Sequence, residues 1–261
     1  MNFQVMDIYR KPAAFGPTGV PMLTRWGGMS HTEANFLTEH DALMEIMPDN
    51  IELSSDVVHV YQNTYKKYSH NAGRAYNYFG IGLDAIFKTK DGQRIPGWYL
   101  PVCWMTDPIS IVAGRDSRVA FPKLYGQIND PVEMHTGDGW DNLYCSVAEY
   151  GTKMIEIELH DLQDIPEERL REIQKGGFKG TWLLDGGPLP AYNRFDTFQV
   201  GRSVVKFNDV TWEQCPSAYY IINALKKLPV LSMEMGRHYT GCLEMSDQGE
   251  LGEAERKGLL P

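Results

Sequence analysis

An α+β fold dominated by antiparallel strands is what this sequence predicts, on three observations. The segments DVVHVYQ, AYNYFGIGLDAIFKT, WYLPVCWM, ISIVAG and MIEIELHD are rich in β-branched and aromatic residues, and several of them alternate. They do not take turns with helical stretches, which argues for a barrel or sandwich and against a doubly wound parallel sheet. Asp91-Gly92 stands between two of them and is a hairpin signal.

Element by element, residues 1–30 are rich in Pro and Gly and read as an irregular arm. Thr38, with Asp41 three residues on, resembles a helix start; Ala42, Leu43, Ile46 and Met47 share a face and Pro48 ends the helix. In MIEIELHD, Ile155, Ile157 and Leu159 point one way and Glu156 and Glu158 the other. One helix interrupts the strands: Asp164 caps it, Pro166 lies in its first turn, Glu167 completes a capping box and Gly176-Gly177 end it. Further strands are expected in GTWLLDGG, FDTFQVG and RSVVKFNDVTW, whereas AYYIINALKKL fits strand or helix by period alone. No stretch reads as a linker, so residues 1–261 are taken as one domain.

Composition narrows the class. The chain has 261 residues, 43% of them hydrophobic, and a net charge of -9, which is unfavourable for a nucleic-acid surface. Cys103, Cys145, Cys215 and Cys242 are scattered without a CxxC pair, so neither a zinc site nor a disulfide framework is expected. The start MNFQVMDIYRKPAAFG lacks an apolar core with a cleavage site, and no apolar run is long enough to span a bilayer. A cytoplasmic protein, bound to neither membrane nor nucleic acid, is the expectation.

Several motifs fail. Gly80-Ile81-Gly82-Leu83-Asp84-Ala85 matches GxGxxA, but a strand follows where a dinucleotide site needs a helix. The seven histidines form no metal-ligand spacing, and neither a Walker loop nor a GxSxG elbow occurs. The basic, aromatic run YQNTYKKY reads as a solvated strand end.

One lysine is out of place. In RVAFPKLY, residues 118–125, Lys123 stands among aromatic, aliphatic and proline neighbours. Either its stem packs on a surface with the ammonium in water, or the amine is kept dry so that it can react. A free lysine is neutral only about 0.04% of the time at pH 7, so reactivity requires a large downward pKa shift.

The wider stretch TDPISIVAGRDSRVAFPKLY, residues 106–125, resembles the acetoacetate decarboxylase family, in which a G-R-E motif precedes an aromatic-Pro-Lys-Lys segment. Gly114-Arg115-Asp116 matches the first motif and Phe121-Pro122-Lys123 the second. DALMEIMPDNIEL, GWYLPVCWMTDP and LKKLPVLSMEMGRHYTGCLEM are similar to the family's early helix, central strand and C-terminal strands. The resemblance implies a cone-like antiparallel β-barrel with a flanking sheet and a few helices, and it tips AYYIINA toward strand. It also implies a Schiff base between the lysine amine and a ketone, the family being an established example of lysine activation.

This chain departs from the pattern in four places. Leu124 replaces the family's second lysine, and one extra residue separates Gly114 from the aromatic-Pro-Lys. Tyr61 falls where one barrel glutamate is expected, and Asp84 is the acid nearest the other. Arg25 is the candidate for the family's N-terminal arginine. With Leu124 in place of a cation, desolvation by Phe121, Pro122, Leu124 and Tyr125 must supply more of the shift, and Arg115 or Arg118 could add charge through space.

The expected function is a Schiff-base lyase acting on a small oxo acid without metal or organic cofactor. It would decarboxylate the acid or run aldol or dehydration chemistry through an enamine. Lys123 is the nucleophile. Arg115 holds the substrate carboxylate, or else pairs with Asp116 structurally. Tyr61 and Asp84 move protons, or else line the barrel. A homo-oligomer is expected from the family. The alternatives are a ligand-binding barrel without turnover, and an acid–base isomerase or hydratase that does not use the lysine.

Overall fold

The computed structural model describes residues 23–49, 51–115, 121–134, 142–176, 178–184 and 187–246. Among these, the elements run β1 (Leu23–Leu37), α1 (His40–Met44), β2 (Ile51–Tyr68), β3 (Tyr76–Lys88), β4 (Arg94–Met105) and α2 (Pro108–Arg115). Next come β5 (Lys123–Tyr125), β6 (Gln127–Ile128), β7 (Val132–Met134), β8 (Asn142–Glu149), β9 (Thr152–Asp164) and α3 (Glu167–Gly176). The chain continues with β10 (Phe178–Leu184), β11 (Gly187–Phe207), α4 (Tyr219–Leu225), β12 (Ser232–Met233) and β13 (Gly236–Ser246).

Strand pairing closes a ring. β10 pairs in parallel with β4 and antiparallel with β11, so the path β4-β3-β2-β1-β13-β11-β10 returns to its start. Beyond β11 the sheet continues through β9, β8 and β6 as a flank. This is the β-barrel with flanking sheet and few helices that the resemblance implies.

Strand alternation then sorts the side chains into two cores. Outward from the ring, Val58 and Val60, Phe79, Ile81 and Leu83, and Val102 and Trp104 join Val147, Ile155, Ile157 and Leu159 of the flank and Ile222 and Leu225 of α4. Inward, Tyr61 and Tyr65, Tyr78, Cys103 and Met105, and Tyr239 and Leu243 form an aromatic interior. Each fully buried large side chain contributes about 1.5–3 kcal/mol, so both cores are substantial. Gly80 and Gly82 fall on the inner face of β3. A Cβ on Gly80 would meet the Tyr61 and Tyr78 rings at 2.8 Å, and one on Gly82 would meet Trp98 at 3.2 Å. The GxG that mimics a nucleotide fingerprint therefore makes room for rings inside the barrel.

Other expectations hold or change for local reasons. The Asp91-Gly92 hairpin joins β3 to β4, with Gly92 at φ +84°. In YQNTYKKY, Lys66 and Lys67 are exposed at the end of β2 while Tyr61, Tyr65 and Tyr68 are buried. All four cysteines are free thiols. ISIVAG, expected as a strand, is helix α2, because the Asp107 carboxylate accepts the Ser110 backbone N–H at 2.8 Å and its hydroxyl at 2.5 Å, capping the first turn. AYYIINA is also helical, as α4, since Ile222 and Leu225 fall on one side and reach the outer core. Thr38 does not cap α1: its N–H donates to Asp56 O on β2, and the helix begins later, at His40. Asp164 closes β9 instead of capping α3, although Gly176 does end that helix; Gly177 lies outside the described residues. FDTFQVG and RSVVKF merge into the single strand β11, which ends at Phe207, before NDVTW. Residues 23–30 belong to β1, not to an irregular arm, and residues 1–22 lie outside the described residues. Among the described residues, no helix is long and apolar enough to cross a membrane.

Candidate active site

β10 pairs with β4 at Trp98 and Tyr99, and farther along β4 its place is taken by β5, which is parallel and sets Lys123 beside Cys103. Cys103 belongs to the inner core, so the lysine shares the inward face of the wall. Pro122 sends its carbonyl to the Cys103 N–H at 3.1 Å, and Phe121 N–H reaches Gly114 O at 3.3 Å, which ties the FPK turn to α2. The Lys123 ammonium donates to Ser110 O at 3.0 Å and lies 4.8 Å from the centre of the Phe121 ring. A Cβ on Gly114 would stand 2.2 Å from Nζ. Glycine is therefore needed there to let the amine lie against the helix.

Lys123 is 9% exposed. Burial lowers its pKa to about 8, against the opposing pull of Cys103 and Asp107. Burial in turn pushes the Cys103 thiol up to about 11, so at neutral pH it is an uncharged neighbour. Leu124 points the other way and packs on the outer core. Desolvation, not a second lysine, lowers this amine's pKa.

The barrel interior holds a cavity of about 540 Å³. Every strand of the ring contributes to its lining, for example His31 of β1, Tyr65 of β2, Asp84 of β3, Trp98 of β4, Trp182 of β10, Asn193 of β11 and Tyr239 of β13. The lining mixes aromatic, aliphatic and polar side chains, and Trp182 Nε1 and Asn193 Oδ1 are buried in it without a hydrogen-bond partner. Lys123 is not among the lining residues.

A charged chain runs under the cavity wall. Glu33, 1% exposed, accepts from His31 Nε2 at 3.0 Å and from His59 Nδ1 at 2.7 Å, with the Arg237 guanidinium at 3.4 Å. Arg237 and the two histidines hold its carboxyl well below the usual range despite burial. His59 Nε2 lies 3.2 Å from the Asp84 carboxylate. Set between two carboxylates, His59 is raised to about 9 against the cost of its burial. Asp84 also accepts from the Ser55 hydroxyl at 3.0 Å, and despite its partial burial His59 and Ser55 hold the Asp84 carboxyl below its ordinary pKa. From the other ring nitrogen of His31 the chain goes on to Asn63 Oδ1 at 2.6 Å, and from Asn63 Nδ2 to Tyr65 Oη at 2.8 Å.

The four residues singled out from sequence fall in different places. Lys123 is buried in the wall and Asp84 lines the cavity, paired with His59. Tyr61 is fully buried, its hydroxyl 3.0 Å from that of Tyr78, and burial raises its pKa well above 10. Arg115 ends α2 with its side chain exposed, away from the cavity lining. Arg25 pairs with Glu244 at 2.6 Å. Asp116 and Arg118 lie outside the described residues. Sequence reading missed Glu33, His31, His59, Asn63 and Tyr65. The signal was present in SHTEANF, where His31 and Glu33 sit two apart on one strand face, but their partners come from other strands.

A closed ring with an internal cavity and a desolvated lysine in its wall defines a β-barrel with an internal candidate site. The chain belongs to the acetoacetate decarboxylase family: the model of that family, acetoacetate decarboxylase (ADC), matches residues 10–251. Among solved structures it is similar to the acetoacetate decarboxylase of Legionella pneumophila, at 14% identity and TM-score 0.61, covering 94% of this chain and 96% of that one. It is similar to the enduracididine biosynthesis enzyme MppR complexed with pyruvate, at 15% identity and TM-score 0.59, covering 90% and 92%. An acetoacetate decarboxylase-like enzyme from Sphingomonas wittichii matches at 14% identity and TM-score 0.59, covering 86% and 91%. No curated protein matches it significantly in sequence.

Proposed function

We propose that this protein is a Schiff-base lyase in which Lys123 condenses with the ketone of a small oxo acid. The observation that carries this reading is the amine itself, buried in the barrel wall against a ring face, a backbone carbonyl and a glycine with no room for a side chain. With its pKa near 8, about a tenth of the amine is neutral at pH 7, against about 0.04% for a free lysine.

Neutral Lys123 attacks the carbonyl carbon, and loss of water gives an iminium. Its cationic nitrogen draws electrons from the adjacent bond, so that a carboxylate leaves as carbon dioxide or a proton leaves to give an enamine. That enamine can be reprotonated or can attack an aldehyde. The lysine is the electron sink, and the chemistry calls for no metal or organic cofactor. Arg115, next to Gly114, is assigned to the substrate carboxylate, and Tyr61 and Asp84 to proton movement. Pyruvate, which MppR holds in its structure, is a suitable first probe.

The test is trapping. Incubation with pyruvate or acetoacetate and cyanoborohydride should leave a reduced adduct on Lys123, located by peptide mass spectrometry and absent from Lys123→Ala. The position of Lys123 outside the cavity lining favours a competing reading, a barrel that holds a ligand without turning it over. Saturable binding of these acids with no adduct would establish that second reading and end the first.

A further inference from the structure

Three side chains of the cavity wall stand in one row. Asp84 of β3 pairs in register with Trp98 of β4, and Trp98 with Trp182 of β10; all three line the cavity. The two indoles meet edge to face, with centroids 5.6 Å apart at 85°. Asp84 keeps 34% of its side chain exposed. Both of its contacts fall on Oδ2: the Ser55 hydroxyl donates at 3.0 Å, and His59 Nε2 stands 3.2 Å away without the geometry of a hydrogen bond. Among the described residues, Oδ1 has no partner. Nor does any lysine or arginine among them line the cavity. His31 does, but its Nε2 lies on the Glu33 carboxylate, which Arg237 also reaches. A carboxylate beside two indoles, with no basic side chain to draw in an anion, is a setting for a cation. The chain already uses this chemistry, since the His59 ring, cationic at neutral pH, stacks on Trp98 at 4.5 Å beside the same carboxylate.

From this geometry we propose that the cavity binds a planar organic cation that donates N–H bonds to Asp84 and carries an oxygen acceptor away from its charge. The acceptor is called for by Trp182 Nε1, whose hydrogen is buried without a partner, and a further donor by Asn193 Oδ1. A buried polar atom left unpaired costs free energy, which a ligand with the complementary group recovers. At about 540 Å³ the cavity takes a substituted ring, within the roughly 300–1,000 Å³ of small-molecule sites. A carboxylate entering this lining meets Asp84 and no lysine or arginine, so the site disfavours anions. The inference concerns what the cavity holds, and it stands whether or not Lys123, which is outside the lining, reacts with a ketone.

Three molecules of one shape and different charge test it: para-methoxybenzamidine, a cation; para-methoxybenzamide, neutral; and para-methoxybenzoate, an anion. Isothermal titration calorimetry at pH 7 gives the dissociation constant of each with the unaltered protein. The cation should bind at least about tenfold tighter than the amide, and the anion more weakly than either. Asp84→Asn keeps the shape of the side chain and removes its charge. In that variant the cation should fall to within about threefold of the amide, whose own affinity should change little. An anion bound as tightly as the cation, a cation that does not bind, or a cation preference that survives Asp84→Asn overturns the proposal. If Asp84→Asn does not fold, Trp182→Phe decides in its place. It keeps a ring but removes the N–H that donates to the methoxy oxygen, so all three molecules should weaken by a similar factor, and unchanged affinities overturn the proposal. Calorimetry reads binding and not adduct formation. Failure here therefore leaves the Schiff-base reading intact, and failure of trapping at Lys123 leaves this site intact.

Discussion

Replacing Lys123 by methionine isolates the cost of keeping an amine dry. The folded-state pKa is about 8, against 10.5 for the unconstrained group, so below pH 8 the folded protein carries an ammonium it disfavours. At about 1.4 kcal/mol per pH unit, the gap corresponds to roughly 3 kcal/mol of instability. Methionine fills nearly the same space without a charge, but gives up the hydrogen bond to Ser110 O, worth about 1 kcal/mol net. Lys123→Met should therefore be more stable than the unaltered protein by roughly 2 kcal/mol at pH 7.

The pH dependence has a definite sign. Between pH 8 and 10.5 the unfolded chain binds more protons at this residue than the folded one, so the unaltered protein gains stability as pH rises through that window. The advantage of the methionine variant should fade over the same interval and reverse slightly above it. Urea denaturation of both proteins at pH 7 and pH 10 provides the comparison, with all other groups cancelling in the difference. A variant that is less stable at pH 7, or an offset that does not change with pH, would refute the claim that burial holds this amine's pKa down.

Two further outcomes follow from the same geometry. Gly114→Ala places a methyl 2.2 Å from Nζ, so it should abolish adduct formation while costing about 1–3 kcal/mol of stability, readable by trapping and thermal melting. His59, raised to about 9 by Glu33 and Asp84, contributes stability that is complete below its unfolded value of 6.5 and is lost as pH rises through about 9. Asp84→Asn removes one of those carboxylates and should lower the pKa of the His59 ring, measured by NMR titration; an unchanged titration would show that Asp84 does not hold it.

Alternation and composition made the strands legible, because a half-buried strand repeats every two residues wherever it lies. MIEIELHD and the Asp91-Gly92 hairpin came out as expected. The short apolar runs ISIVAG and AYYIINA did not, since at that length period alone cannot separate strand from helix. The deciding contacts were a capping carboxylate from Asp107 and a place against the outer core. Lys123 was legible through its motif and its apolar neighbours. Arg115 was chosen for its chemistry, and its exposure depends on where α2 lies over the wall.

Residue type and short-range spacing alone dictate an antiparallel β structure with one lysine among residues able to dry it. Closure of the ring through β10, the turning of Leu124 away from Lys123, and the hydrogen-bonded chain of Glu33, His31, His59, Asn63 and Tyr65 arise from long-range packing. Those residues come from two adjacent strands paired His31 to Asn63 and Glu33 to Tyr61, and that register is set by the packing of the whole sheet. Charge interactions fall off over a few ångströms, so which groups act on one another is fixed by the distances that folding creates, not by separation along the chain.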